Sequence, residues 1–180
     1  MAGSPTRYRF TVKDYHRMAE ARVFAPNDRV ELIDGEVYDV APIGSRHAAS
    51  VKRLARVFHA GVRGRAIVSV QDPVELNERN ELQPDVALLR PTPDDYAAHH
   101  PGPSDVLLVV EVADATVDFD RSTKVPLYLA SGILEVWVVD LPSPRIEVFG
   151  AGDGVVHGWG HPLAPQAFPD LLVEVTEIVG

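Results

Sequence analysis

The sequence predicts one mixed α/β domain over residues 1–180, with a partly antiparallel sheet covered by two helices. Three features predict it. VELIDGEVYDVA, residues 30–41, holds two short runs around Asp34-Gly35, a strong hairpin signal. GSRHAASVKRLARVFHAGV, residues 44–62, repeats Ala48, Val51, Leu54, Ala55 and Phe58 at three- and four-residue steps, the period of a helix. DVLLVVEVA, residues 105–113, is a continuous apolar run of the kind buried on both faces of a sheet.

The remaining elements follow in order. Thr11 caps a short helix through about Ala21, since TVKDYHRMAEA has few breakers. The second helix ends at Gly61 and Gly64. AIVSVQ (66–71), PVELN (73–77) and DVALL (85–89) read as strands, and RPTPDDYAAHHPGPSD (90–105) as a Pro-rich surface loop. A helix is expected within 118–130, ended by Gly132. Pro126 requires it to begin near Ser122 or to kink. ILEVWVVD (133–140) and RIEVFG (145–150) are further strands, and LLVEVTEIV (171–179) alternates like a half-buried strand.

Composition narrows the function. A chain of 180 residues can bury a full core. It has no apolar run of the ~18–20 residues that a membrane helix needs, and MAGSPTRYRF lacks the apolar h-region of a secretory signal. There is no cysteine, which excludes disulfides and thiolate metal sites and fits the cytoplasm. The net charge is -9, from 26 acidic and 17 basic residues, against a general nucleic-acid coat. Lys52, Arg53, Arg56, Arg63 and Arg65 cluster all the same, either as a solvated helix face or as a local basic groove.

Glu111 is the anomaly. It sits inside an apolar run, and an unpaired buried carboxylate is costly. Residues 107, 109, 111 and 113 of a strand share a face, so Leu107 and Val109 bury that face before Glu111 reaches the strand end. The ends of buried strands are where side chains meet a cleft. Asp85 opens the run VALL after Pro84. Alone it reads as a turn residue, but on a neighbouring strand the two acids would repel unless a cation joined them. A hard ion such as Mg²⁺ suits a few carboxylates and several waters, and the Val112 carbonyl could add a ligand. Lys124 is a second candidate cation, or else a surface lysine paired with Asp120 at i,i+4.

The ordered set ELIDGE, His47 at a helix start, PDVALL, LVVEVAD, Asp120-x-x-x-Lys124, Tyr128 and EVWVVD resembles the Uma2 family, a branch of the PD-(D/E)XK nuclease superfamily. The resemblance spans roughly residues 20–150. It implies a restriction-endonuclease-like fold, a mixed sheet flanked by helices with added antiparallel strands. It also implies a Mg²⁺- or Mn²⁺-dependent phosphodiesterase acting on DNA. Asp85 and Glu111 match the motif's two acids, with Val112 beside them. The superfamily's lysine, two residues after the second acid, is here Ala113. The resemblance makes Lys124, on the following helix, the replacement. Glu31 matches the upstream acid and could complete a metal shell. His47 matches the helix-start histidine, which could bind phosphate, orient Glu31 or be purely structural. Lys124 would orient or deprotonate the attacking water, or stabilise developing charge. The alternative is a non-catalytic nuclease-fold module acting through protein or nucleic-acid contacts. A homodimer fits a double-strand cut, which uses two active sites.

Other acids and histidines read as structural. Pro169-Asp170 and Glu174 imitate the motif without a following lysine. His99-His100 lies in the Pro-rich loop without spaced partners, and His157 and His161 flank a Gly-rich turn.

Overall fold

The computed structural model describes residues 6–40, 44–150 and 154–180. Helix α1 (Val12–Glu20) starts with a capping box: the Asp14 N–H donates to Thr11 Oγ1 at 3.1 Å, and the Thr11 N–H donates to Asp14 Oδ2 at 3.1 Å. Strands β1 (Val30–Ile33) and β2 (Glu36–Asp39) form the expected hairpin. Its two turn residues, Asp34 and Gly35, have φ of 49° and 72°, the left-handed pair of a tight hairpin turn. Ala41, the last residue of the predicted hairpin stretch, lies outside the described residues. Helix α2 (Ser45–Val62) buries Val51, Leu54, Phe58 and Val62 along one stripe.

Short strands β3 (Ile67–Ser69), β4 (Val74–Asn77), β5 (Asn80–Leu82) and β6 (Val86–Leu89) follow. A single 3₁₀ turn, Pro103–Asp105, leads into the long β7 (Val106–Ala113). The next helical stretch runs from α3 (Val117–Phe119) through a π-turn, Asp120–Lys124, into α4 (Val125–Ala130). Pro126 sits in the first turn of α4, where its missing N–H is tolerated, so the predicted discontinuity takes the form of the π-turn before it. Strands β8 (Val136–Asp140), β9 (Arg145–Phe149), β10 (Val155–His157), β11 (Pro162–Leu163) and β12 (Val173–Glu174) and helix α5 (Val175–Val179) complete the chain.

The main sheet has six strands in the order β10-β9-β8-β7-β6-β3. Among the described residues only β7 and β8 are parallel, and α3, the π-turn and α4 form the crossover between them. One face packs on α2 and α5 through a core that includes Leu54, Phe58, Val110, Trp137 and Ile178. The other face, with Val109, Ala113, Val136 and Val138, packs on Val125 and Tyr128 and on a second antiparallel sheet, β2-β1-β5-β4.

Three expectations change. LLVEVTEIV is a strand only at Val173–Glu174 and then turns helical. Val175 and Ile178, three apart, are both buried against α2, a helical spacing that the alternating reading masked. Strand β5 was not expected, because Asn80 and Glu81 carry no apolar signal. A bulge where Leu88 and Leu89 meet β7 moves Leu107 to the α2 side, leaving Val109, Glu111 and Ala113 on the other face.

Gly35 meets two constraints at once: its positive φ, and a Cβ position only 2.8 Å from Arg9 Cβ and 2.9 Å from the Phe10 carbonyl. At Gly64, with φ +77°, a Cβ would meet no described residue within 4 Å. Urea denaturation should therefore show Gly64→Ala losing about 1–2 kcal/mol from backbone strain alone, and Gly35→Ala losing clearly more. Equal losses would contradict the close packing of residues 9–10 over the hairpin.

Candidate active site

Glu111 lies two residues from the end of β7, on the face that meets the second sheet. Strand alternation on β1 places Leu32 against α1 and Glu31 and Ile33 toward the main sheet. Glu31 and Glu111 therefore approach each other across the gap between the two sheets. Lys124 comes down from the π-turn between them. Its Nζ donates to Glu31 Oε1 at 3.1 Å, lies 3.0 Å from Oε2, and reaches Glu111 Oε1 at 3.4 Å. With only 6 % of its surface exposed, Lys124 is not a surface lysine. Its alternative partner, Asp120, instead accepts from Thr116 Oγ1 at 2.7 Å.

Neighbouring groups fix this triad. The Tyr128 hydroxyl, one turn beyond Lys124, donates to Glu111 Oε1 at 2.7 Å. The Gln83 N–H donates to Glu31 Oε1 at 2.8 Å. Arg121, also on the π-turn, clamps Glu147 with two 2.6 Å bonds and Asp140 with one of 2.9 Å, anchoring the turn to β8 and β9.

Asp85 stands just before β6, beside Glu111 but held by different groups. Its Oδ2 accepts the Val112 N–H at 2.9 Å and His47 Nε2 at 2.9 Å, and its Oδ1 accepts Gln71 Nε2 at 3.1 Å. His47, in the first turn of α2, thus bonds Asp85, and no hydrogen bond joins it to Glu31 among the described residues. With the proton on Nε2, Nδ1 is a buried nitrogen without a hydrogen-bond partner among the described residues. The sequence reading missed Gln71, which follows β3 at a positive φ of 59° and aims its amide at the carboxylate. Nothing in its local sequence marks it.

Asp85, Glu111, Lys124, Glu31, His47 and Val112 all line one cavity of about 410 Å³. Lys124 reaches two of its acids, Glu31 and Glu111, and no ion pair joins it to Asp85 among the described residues. The N–H and C=O of one extended residue point to the same strand edge, so the Val112 carbonyl faces the Asp85 side. The Ala113 carbonyl points the other way and accepts the Leu141 N–H at 3.0 Å. Ala113 is fully buried in the packing that includes Val125 and Tyr128, which leaves no room for a lysine at that position.

Four buried acids, Glu31, Asp85, Glu111 and Asp120, line the cavity, where Lys124 is the one buried lysine or arginine among the described residues and pairs with two of them. Burial pushes the Glu111 carboxyl well above the usual range. Lys124 opposes that rise, while Asp85, Asp120 and Glu31 add to it. Burial raises Asp120 as well, against the bond from Thr116. Burial would also raise Asp85, but the bonds and charge supplied by His47, Val112 and Gln71 together hold it below the usual carboxylate value. Burial lowers Lys124, and the surrounding carboxylates, Glu111 first, more than reverse that and raise it. The cavity therefore holds surplus negative charge that a bound cation would relieve.

The basic residues of α2 and its end lie elsewhere. Lys52, Arg56, Arg63 and Arg65 are exposed, and Arg65 grips Asp170 at 2.8 Å, so they form a solvated face. That same Asp170, from the imitation motif, has no place in the cavity. His99 and His100 are exposed, as expected, but His100 does have neighbours: one of its ring nitrogens lies within 4.8 Å of a His16 ring nitrogen and a Glu81 carboxylate oxygen.

A carboxyl whose folded pKa is raised favours the protonated form, so its contribution to stability is present at low pH and lost as pH rises through that folded value. With a chelator present, Glu111→Gln should therefore melt above the parent protein at neutral pH. The difference should close as pH falls below the ordinary carboxylate range. Thermal denaturation across that pH range checks it, and a variant that melts lower at neutral pH would contradict the surplus charge.

Comparison with known proteins agrees with this architecture. The model of the Uma2 family, described as "Putative restriction endonuclease", matches residues 12–158. A crystal structure from Anabaena variabilis, described as "a putative nuclease belonging to DUF820", superposes with a TM-score of 0.76 over 94 % of this chain and 97 % of that one. At 11 % identity this likeness establishes the fold. No protein of the curated set matches the chain. The family match takes in most of the chain and every residue of the cavity, and the chain belongs to the Uma2 family.

Proposed function

We propose that this protein is a divalent-metal-dependent endonuclease that hydrolyses DNA phosphodiester bonds at the Asp85–Glu111 cleft. The observation that carries the proposal is the buried acid excess around a single lysine, open to a cavity, on a restriction-endonuclease-like sheet. The family description supports the reaction class.

The donor set fits a hard cation. Asp85 and Glu111 would hold Mg²⁺ or Mn²⁺ with help from the Val112 carbonyl, leaving the other positions to water and substrate oxygens. When bound, the ion would supply Lewis-acid stabilisation of the phosphoryl oxygens and a more acidic water. The protein does the rest. His47 and Gln71 keep Asp85 ionised and aimed into the cleft. Lys124 provides a fixed positive charge beside Glu111, placed to orient the attacking water or to stabilise the charge that develops on the phosphoryl group. Glu31 and Tyr128 act as positioning residues, holding the ammonium and the Glu111 carboxylate in register.

Lys124 thus takes the role of the superfamily's strand lysine from an adjacent helix, since position 113 must be small. Two copies would act together in a double-strand cut. A second reading, a non-catalytic module, draws on one observation: Lys124 is already paired with two carboxylates. Activity separates the two readings.

Purified protein with Mg²⁺ or Mn²⁺ should nick or linearise plasmid DNA. Asp85→Asn and Glu111→Gln should each lower the rate by about 10²–10³-fold, the scale of removing one charge-stabilising group, and Lys124→Ala by a similar factor. Variants that cut as fast as the parent would assign the activity to a contaminant. A folded parent protein without activity would favour the non-catalytic module.

A further inference from the structure

We infer that His16, Glu81 and His100 form a second metal site, selective for a borderline transition ion such as Zn²⁺ and separate from the cleft. The three offer two imidazole nitrogens and one carboxylate oxygen, all within 4.8 Å of one another. His16 Nε2 already lies 2.6 Å from Glu81 Oε2, and the two imidazole rings meet edge-on at 6.0 Å. A tetrahedral zinc ion with bonds of about 2.0–2.2 Å sets its ligands about 3.3–3.6 Å apart. Closing on it needs only small rotations of the two imidazoles, which have room to move. The His16 side chain is 40 % exposed and His100 is exposed, whereas Glu81 is buried and fixed.

Each ligand rides on a separately anchored segment. The first turn of α1 is tied down by its capping box and by the Val12 N–H donating to the Glu78 carbonyl at 2.8 Å. Glu81 lies on β5 opposite Leu32. His100 lies in the Pro-rich loop, which is pinned one residue later where the Pro101 carbonyl accepts the Glu75 N–H at 3.0 Å. An ion here would clip α1 and that loop to the second sheet and leave a coordination position open to solvent.

The site is chemically and spatially distinct from the cleft. Glu81 faces α1 alongside Leu32, while Glu31, one residue before Leu32, faces the main sheet. The two sites therefore lie on opposite faces of the second sheet. Two imidazoles and a carboxylate suit Zn²⁺, Co²⁺ or Ni²⁺, whereas the all-oxygen cleft suits Mg²⁺. The inference does not depend on nuclease activity.

Zn²⁺ titration of the full chain against a chromophoric chelator, with excess Mg²⁺ present, tests it. The parent protein should bind one Zn²⁺ per chain and melt higher with it. His100→Ala changes an exposed loop residue, so the fold should survive. It should weaken Zn²⁺ binding by at least about tenfold, the lower end for loss of a supporting group, and abolish the thermal shift. His16→Ala should do the same, and His99→Ala should change nothing. Co²⁺ in place of Zn²⁺ should give the visible absorption of a low-coordinate N/O site in the parent only. The inference is overturned if the parent binds no Zn²⁺ or if His100→Ala binds as the parent does. It is equally overturned if binding is lost with Asp85→Asn, or with substitution of His157 or His161, instead.

Discussion

The Lys124 ammonium, buried between Glu31 and Glu111, is the interaction on which the rest of the structure depends. It joins three parts of the chain that are remote in sequence: the hairpin strand β1, the central strand β7 and the π-turn above them. Removing the lysine leaves two buried carboxylates uncompensated, a loss of about 3–5 kcal/mol. The second sheet is therefore attached to the first by charge as well as by apolar packing. The same attachment leaves the cavity with more acid than base, the imbalance on which the proposed cation site rests.

The π-turn is what allows the lysine to arrive from a helix. The turn precedes Pro126 and is held at its far side by Arg121 on Glu147 and Asp140. Lys124 and Tyr128, four residues apart, then descend on the same carboxylate. Ala113 faces the same way as Glu111 but is fully buried beneath this segment. Position 113 has no space for a lysine, and Lys124 reaches Glu111 from the helical segment.

Much of this was legible in the sequence because it rests on local signals. Thr11, Asp34-Gly35 and the periodicity of α2 each announce their element. Glu111 announced itself by being the wrong chemistry for its surroundings. What stayed hidden depends on tertiary partners. The helical end of LLVEVTEIV needs α2 to reveal its buried spacing, and the bulge at Leu107 needs the register of β6. The bond from His47 to Asp85 rather than Glu31, the reach of Gln71, and the meeting of His16 with His100 are contacts across 38, 14 and 84 residues, which no spacing rule encodes.

The function proposed for the cleft turns on Asp85 and Glu111 holding a divalent cation beside Lys124. Diffraction from crystals grown with Mn²⁺, read at the anomalous signal of the metal, tests it most directly. The account predicts a peak about 2.0–2.3 Å from one oxygen of each carboxylate, on the edge where the Val112 carbonyl points, with Lys124 still within reach of Glu111. A peak elsewhere, or a cleft in which Lys124 and the four acids keep their positions with no metal at saturating Mn²⁺, would contradict it.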